Sequence, residues 1–225
     1  MHTFELPSGI EVELREMTGA EEELLTNQRL IRTGDAVNQV LRNCLVKLGD
    51  NEEPAVKDVL DLLSGDRLFI LVRLRQISLG EEVELELACP NTACRASNAV
   101  TINLEHLEVT PYGEEREFVF TLPGSGRKVR FGYLDGNKEK RLAALKEPSI
   151  SSAMLIRIVE IDGAPPSKKL MNDMSMRDRS ALRQEMLRKD AGIDTTVETD
   201  CQSCGTRIRT RLEAEPGFLF PGVRL

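Results

Sequence analysis

Four cysteines in two pairs are the residues whose types and spacing could do chemistry. Cys89 and Cys94 form a C-x4-C pair, and Cys201 and Cys204 form a C-x2-C pair. Thiolate sulfur is a preferred ligand of Zn²⁺, and each pair alone supplies half of a tetrahedral site. Together the cysteines predict one structural zinc site, which would pin together two parts of the chain that lie more than a hundred residues apart.

Two alternatives to the zinc site stay open at this level. A C-x2-C pair can be redox-active, but redox motifs of that kind lie at a helix N-terminus, which lowers the thiolate pKa. Cys204 is instead followed by alternating residues up to Arg211, a pattern typical of a strand. The other alternative is that both pairs are exposed and bind no metal. A closed four-thiolate site leaves no coordination position for water, which argues against metal catalysis.

The cysteine pairs lie on matching parts of an internal repeat. The repeat predicts an α+β fold of two diverged pseudo-repeats, 1–110 and 118–225, which a shared zinc-ribbon-like site would join into one compact unit. Each half is expected to contain a hairpin, helices, and then a strand, a cysteine knuckle and a second strand. From Gly9 onward the copies match at an offset of 117, and a later block matches at an offset of 112. The later block pairs Asp66 with Asp178, Arg67 with Arg179, Gly80 with Gly192, and Cys89 with Cys201.

Local patterns predict the elements that position the cysteines. Apolar and polar residues alternate on both sides of Pro7–Gly9 and of Pro123–Gly126, and each pattern predicts a β-hairpin with its turn at these residues. Thr18 and Glu21 form a capping-box pattern at the start of a helix. Strands are expected on both sides of each cysteine pair, at 83–87, 100–104, 194–199 and 206–212.

Helical spacing of apolar residues predicts the remaining elements. One stripe runs from Val37 to Leu48 and predicts a helix that ends at Gly49–Asn51. Cys44 lies within this stripe and is expected in the core rather than at a site. The other predicted helices span 56–63, 68–79, 138–146, 151–161 and 178–190.

Composition and charge argue against several classes of protein, namely nucleic-acid-binding, membrane-spanning and secreted proteins. The 225-residue chain carries a formal net charge of −7, which argues against broad electrostatic binding to nucleic acid or to an anionic membrane. No apolar run approaches the roughly 20 residues that a membrane helix needs, and the N-terminus lacks the basic-then-apolar plan of a secretion signal. Cysteine is sparse and odd in number, which suits a reducing compartment.

The sequence contains no recognisable catalytic pattern. His2 and His106 are the only histidines, so they give no basis for a Ser-His-Asp set. Neither a phosphate-binding loop nor a dinucleotide fingerprint is present. We therefore expect a protein that is not an enzyme and has no small-molecule substrate.

A basic stripe and an apolar tail remain near the C-terminus. Arg207, Arg209 and Arg211 lie on one face of the last predicted strand, and Ile208 and Leu212 lie on the other. We interpret the stripe as a solvated face that pairs with nearby acids; the alternative is a zinc-ribbon nucleic-acid-binding or regulatory module. The apolar tail is expected to dock on the core or on a partner, through Phe218, Phe220 and Pro221.

Short motifs spread over most of the chain resemble a known family. They are the opening Phe4-x-Leu6-Pro7-Ser8-Gly9, the helix start Thr18-Gly19-x-Glu21-Glu22, the Asp66-Arg67 pair before an apolar helix, and the cysteine pairs. With them the chain is similar to the T-even-type phage family of baseplate hub subunits and hub-assembly factors.

The resemblance implies a non-enzymatic structural or assembly component of a contractile-tail baseplate, in a phage or in a phage-derived injection system. Its partners would be other baseplate or hub subunits. It would assemble in the cytoplasm of the bacterial host and could remain in the virion or tail-like particle. The residues that carry over as candidate metal ligands are Cys89, Cys94, Cys201 and Cys204.

Overall fold

The computed structural model describes residues 1–147, 149–212 and 218, which form an α+β fold of small antiparallel sheets and helices. The first half contains β1 (His2–Glu5), β2 (Glu11–Leu14), α1 (Gly19–Thr26), α2 (Gln28–Thr33), α3 (Ala36–Cys44), β3 (Leu45–Leu48), α4 (Val56–Asp61), α5 (Ser64–Leu79), β4 (Glu82–Ala88) and β5 (Ser97–Asn103). A 3₁₀ turn (Leu104–His106) and β6 (Val109–Thr110) follow. The second half contains β7 (Glu117–Thr121), β8 (Lys128–Gly132), α6 (Gly136–Ala143), α7 (Ile150–Leu155), β9 (Ile158–Ile161), α8 (Lys168–Asp173), α9 (Met176–Lys189), β10 (Gly192–Ile193), β11 (Thr196–Asp200) and β12 (Arg207–Arg211).

Each half holds a three-stranded antiparallel sheet with the same arrangement. The strand order is β1-β2-β3 in one sheet and β7-β8-β9 in the other. The pairing register shifts between Glu13 and Leu14 in the first sheet and between Arg130 and Phe131 in the second. Both irregularities lie where the middle strand meets the third strand, and the residues concerned are separated by the 117-residue offset read from the sequence.

The helix predictions were wrong at the third strand of each sheet. The stripe from Val37 to Leu48 is α3 followed by β3, and Gly49–Asn51 closes a turn after that strand. The helix predicted at 151–161 is α7 followed by β9. Both strands are four residues long and gain their hydrogen bonds from β2 or β8, which are distant in sequence. Such tertiary pairing overrides local helical spacing, and β-branched Ile158, Val159 and Ile161 favour the strand further.

The other predicted elements are confirmed. Thr18 caps α1 through a capping box in which the Glu21 carboxylate accepts the Thr18 amide hydrogen at 2.8 Å. Gly34 ends α2 in the left-handed conformation. Both hairpins, the short helix α4, and the long helices α5 and α9 form where the sequence predicts them.

Two apolar cores support the fold. Leu14, Leu41 and Ile70 are fully buried in the first, and Phe131, Ile161 and Leu182 in the second. Of the predicted apolar tail, Phe218 packs against the first core, whereas Phe220 and Pro221 lie outside the described residues. Among the described helices, none is both long and apolar enough to cross a membrane.

A buried aspartate at the start of α5 and of α9 holds the adjacent hairpin turn. Asp66 Oδ1 accepts a hydrogen bond from the amide of Ser8 at 3.0 Å. Asp178 accepts from the amides of Gly124 at 2.6 Å and Ser125 at 3.1 Å. The two contacts explain why an Asp-Arg pair recurs before each helix, because the carboxylate satisfies amides that the turn leaves unpaired.

The neighbouring arginines bond to the helices packed beside them. Arg67 donates to the Val59 carbonyl at 2.9 Å and to Asn38 Oδ1 at 2.7 Å. Arg179 donates to the Met171 carbonyl at 2.9 Å and to the hydroxyl of Ser151 at 2.9 Å. Each arginine therefore joins the α4–α5 or α8–α9 corner to the helix that precedes the third strand of its sheet.

The two halves meet at a close contact between backbones. Gly65 at the start of α5 faces Gly192 of β10, and the Gly65 amide donates to the Tyr112 hydroxyl at 2.9 Å. A Cβ on Gly65 would overlap the Ala191 carbonyl oxygen and would lie 2.9 Å from the Gly192 Cα. Only glycine fits this approach.

Substitution Gly65→Ala is expected to lower the free energy of unfolding by about 2 kcal/mol or more, because rigid backbone surrounds the new methyl group. Gly113→Ala is the matched control, since nothing lies within 4 Å of its would-be Cβ. That change should be neutral or stabilising by about 0.5 kcal/mol. Chemical unfolding of both variants measures the difference, and equal stabilities would contradict the close packing.

Candidate metal centre

Two β-hairpins bring the four predicted cysteines together. β4 pairs with β5 over seven residue pairs, and β11 pairs with β12 over five. The first knuckle joins β4 to β5 and the second joins β11 to β12. The four Sγ atoms all lie within 4.8 Å of one another, and among the described residues they form the one group of three or more Cys, His, Asp or Glu side chains with such spacing.

Backbone hydrogen bonds shape the first knuckle. The Cys89 amide donates to the Ala96 carbonyl at 2.9 Å, and the Cys94 amide donates to the Asn91 carbonyl at 2.9 Å. The Asn91 side chain accepts the amide hydrogen of Ala93 at 3.0 Å. Asn91 thus accommodates the longer C-x4-C spacing by folding the two additional residues into a turn.

The second knuckle uses a similar frame with a shorter turn. The Cys201 amide donates to the Thr206 carbonyl at 2.9 Å, and the Gly205 amide donates to the Cys201 carbonyl at 2.8 Å. Gly205 has φ +71°, and Arg95, which follows the last cysteine of the first knuckle, has φ +51°. Both knuckles therefore turn through a left-handed residue after their second cysteine, and only the second knuckle has a glycine there.

Asn98 joins the two hairpins beside the sulfurs. Its side-chain nitrogen donates to the Leu87 carbonyl at 3.2 Å and the Ala96 carbonyl at 3.1 Å. Its Oδ1 accepts the amide hydrogen of Gln202 in the second knuckle at 2.9 Å. The buried side-chain amide of Asn98 thus bonds to the first hairpin through its nitrogen and to the second hairpin through its oxygen.

Two of the distances between sulfurs match those of a tetrahedral metal site, and all of them are within 4.8 Å. Cys89 Sγ lies 3.6 Å from Cys204 Sγ, and Cys94 Sγ lies 3.9 Å from Cys201 Sγ. Four sulfurs bound to one zinc ion at the usual bond length would stand about 3.8 Å apart. Both short distances join one hairpin to the other, so a shared ion would link the hairpins directly.

The local environment separates the thiols by pKa. Hydrogen bonding with Thr206, whose Oγ1 lies 3.2 Å from the sulfur, lowers the pKa of Cys204 to about 6. The Ser203 amide lowers the pKa of Cys201. Burial raises the pKa of Cys89 to about 12. Cys204 therefore favours the thiolate near neutral pH, whereas Cys89 would have to release a proton when it binds a cation.

The remaining candidate residues lie elsewhere. Cys44 is buried in the first core, as predicted, and burial raises the pKa of its thiol to about 12. His106 is exposed in the 3₁₀ turn, and His2 Nε2 lies 3.8 Å from a Glu16 carboxylate oxygen. Cys204 leads into strand β12 rather than into a helix, so the structure lacks the helix N-terminus that the redox alternative would need.

The arginine stripe is partly neutralised by an acid on the neighbouring strand. Arg207 and Arg209 both pair with Glu198, at 2.5 and 3.2 Å. Ile208 and Leu212 are buried on the opposite face. This arrangement agrees with the interpretation of a solvated strand face.

The sequence reasoning missed Asn98, although the sequence carried a signal for it. Asn98 stands in phase with Val100 and Ile102 on the inward face of β5, where alternation calls for an apolar residue. A polar residue at an inward position needs buried hydrogen-bond partners. Which partners it finds depends on the second hairpin, and no local pattern could identify them.

Substitution Asn98→Ala is expected to lower stability by about 1–3 kcal/mol and to speed metal loss, because three polar groups lose their partner. Thr101→Ala, on the exposed face of the same strand, is the matched control and should change little. Denaturant unfolding and the rate of metal transfer to a colorimetric chelator measure the two effects. Metal transfer as slow as in the unmodified protein would show that Asn98 does not hold the hairpins together.

The family comparison agrees with the sequence motifs. The model of a family described as T4 bacteriophage base plate protein matches residues 1–214, a span that includes the first half, most of the second half and all four clustered cysteines. The comparisons with curated proteins and with solved structures give no match. The match confirms the resemblance to T4-type baseplate proteins, and the assignment to the hub stays a prediction.

Proposed function

Because the chain belongs to the T4 bacteriophage base plate protein family, we propose that it is a non-enzymatic structural or assembly component of a contractile-tail baseplate, in a phage or a phage-derived injection system. The observation that carries the proposal is the family match, which spans nearly the whole chain. Its partners would be other baseplate or hub subunits. It would act in the host cytoplasm during assembly and could remain in the finished particle.

The proposed cofactor is one structural Zn²⁺ held by Cys89, Cys94, Cys201 and Cys204. Four thiolates in a tetrahedral arrangement favour zinc over the hard cations that prefer oxygen. The inter-hairpin sulfur distances support this assignment. Bound zinc would supply no reaction chemistry, because four protein ligands fill its coordination shell.

We also propose that the two halves are diverged copies of one unit, at 1–110 and 118–225. The matching strand orders, the register shifts 117 residues apart, and the equivalent aspartate and arginine bonds support a duplication. In this view each copy contributes one cysteine hairpin, so the zinc site exists only when both copies are folded and in place. The site would then act as a pin between the copies.

Elemental analysis of the purified protein tests the zinc assignment. We expect one zinc per chain in the unmodified protein and its loss in both Cys89→Ser and Cys201→Ser, because each hairpin alone offers two ligands. Cys44→Ser is the control for a cysteine that lies outside the cluster, and it should retain the metal. Zinc that survives either cluster substitution would contradict a site shared between the hairpins.

The same Cys201→Ser variant tests the mechanical role. Zinc binding can supply about 10 kcal/mol or more in small zinc domains, but this protein also has two apolar cores. We therefore expect a lower melting temperature with helix content retained in the circular dichroism spectrum. An unchanged melting temperature would contradict a zinc site that holds the two copies together and stabilises the fold.

Removal of the chain from its own phage or tail system tests the wider function. Particles made without it should lack complete baseplates, and electron microscopy should show fewer assembled contractile tails. Normal tails in normal numbers would overturn the proposed role, whatever the metal content of the protein.

A further inference from the structure

Arg67 makes a third hydrogen bond that joins the two halves. Besides its bonds within the first half, its Nε donates to Glu139 Oε2 in α6 at 2.9 Å. Arg67 is only 5% exposed, whereas the side chain of Glu139 is 39% exposed, so the ion pair joins a buried guanidinium to a carboxylate that still reaches solvent. The α6 helix of the second half is therefore docked on the first half through a glutamate in its first turn.

Further contacts seat α6 against α2, α4 and α5 of the first half. The Gly136 amide donates to the Leu62 carbonyl at 3.1 Å, and the Asn137 side chain donates to the Leu60 carbonyl at 3.2 Å. Lys140 pairs with Asp35 at 2.7 Å. The N-terminus of α6 thus satisfies carbonyl groups at the α4–α5 corner of the other half.

In the second half, the equivalent corner between α8 and α9 carries no docked helix among the described residues. Arg179, the counterpart of Arg67, makes the two equivalent bonds within its own half, and among the described residues no acceptor lies at its Nε. A cleft of about 370 Å³ lies beside it. Its lining includes Ile150 together with Met176 and Arg183, and the offset of 112 aligns the last two with Ser64 and Leu71 of the first half.

Apolar side chains in this cleft face water. Met176 is 73% exposed and Ile150 is 60% exposed, which is unusual for large apolar residues that line one concave site. Methionine suits a surface that must adapt to an incoming partner. We call this site the second-half groove, and the residues that define it are Ile150, Asn172, Met174, Met176, Arg179, Ser180 and Arg183.

The first half carries an equivalent helix with its docking face free. The offset of 117 aligns α1 with α6, Gly19 with Gly136, and Glu22 with Glu139. Gly19, Glu22 and Glu23 are exposed. The helix face that α6 uses for docking is therefore open to solvent on α1.

The charges of the free helix and of the empty groove are complementary. Arg179 and Arg183 line the groove, and Glu22 and Glu23 lie on the free face of α1. No ion pair within the described part of the chain involves Glu22, Glu23 or Arg183. Opposite charges placed this way steer association and fix its register.

We propose that α1 of one copy of this chain docks in the second-half groove of another copy, and so repeats between molecules the contact that α6 makes within one. The inference rests on the proposed duplication and is independent of the zinc site. Glu22 would pair with Arg179 as Glu139 pairs with Arg67, and Glu23 would lie towards Arg183. Because the two surfaces differ, the contact is heterologous and generates a ring or an open chain of subunits.

Sedimentation equilibrium of the purified, metal-replete protein at low salt tests the proposal. We expect reversible association of the unmodified chain at concentrations up to about 100 μM, weakened by added salt. Arg183→Glu and Glu23→Arg should each raise the dissociation constant about tenfold or more, because like charges then face each other. Arg42→Glu and Glu84→Arg, which are exposed elsewhere, are the matched charge controls and should associate normally.

A mixture of the two variants provides the decisive comparison. The Arg183→Glu chain keeps a native α1, and the Glu23→Arg chain keeps a native groove, so the mixture should form heterodimers although each variant alone is weakened. A monomer at all concentrations, or variants that associate as the unmodified chain does, would overturn the proposal. Unchanged circular dichroism and zinc content in the variants separate this outcome from a failure of the fold or of the metal site.

Discussion

The buried guanidinium of Arg67 is the constraint on which the arrangement of the two halves depends. A buried arginine carries five N–H donors and a charge that cannot be discharged, so its surroundings must supply acceptors. Here they come from three elements: Asn38 in α3, the Val59 carbonyl in α4, and Glu139 in α6 of the other half. A Cβ on Gly136 would lie 2.8 Å from a guanidinium nitrogen, so α6 also packs directly on the arginine. One side chain thereby fixes a helix corner and the position of the neighbouring half.

The cysteine cluster brings the two halves together at another place, where the proposed metal ion would link them by different chemistry. Arg67 joins helical parts through hydrogen bonds, whereas the cluster joins the tips of two hairpins, with Asn98 bridging them nearby. The halves also meet through the backbones of Gly65 and Gly192, and Ile193 and Val197 of the second half pack in the first core.

The sequence predicted those features that depend on local pattern or on spacing. The hairpins, the capping box at Thr18, the long helices and the cysteine cluster all follow from residues close together in the chain or from the repeat. The third strands, β3 and β9, were missed because their hydrogen bonds come from strands distant in sequence. The Asp66-Arg67 pair was visible as a motif, but its roles were not, because the partners Ser8 and Glu139 lie 58 and 72 residues away.

In the proposed duplication the first copy binds α6 of the second copy, and within the described part of the chain neither α1 nor the second-half groove has the equivalent partner. The differences between the two grooves follow from this asymmetry. Leu68 and Leu71 of the covered groove correspond to Ser180 and Arg183 in the open one, so the open groove has gained polar residues where water reaches it. A mixture of apolar floor and charged rim is typical of interfaces that form and separate rather than of cores. Docking within the chain gains from a high effective concentration, which separate molecules lack. The same contact between two molecules would therefore be weaker than the contact within one chain. It would form most readily where copies of the chain are held close together, because their local concentration is then high.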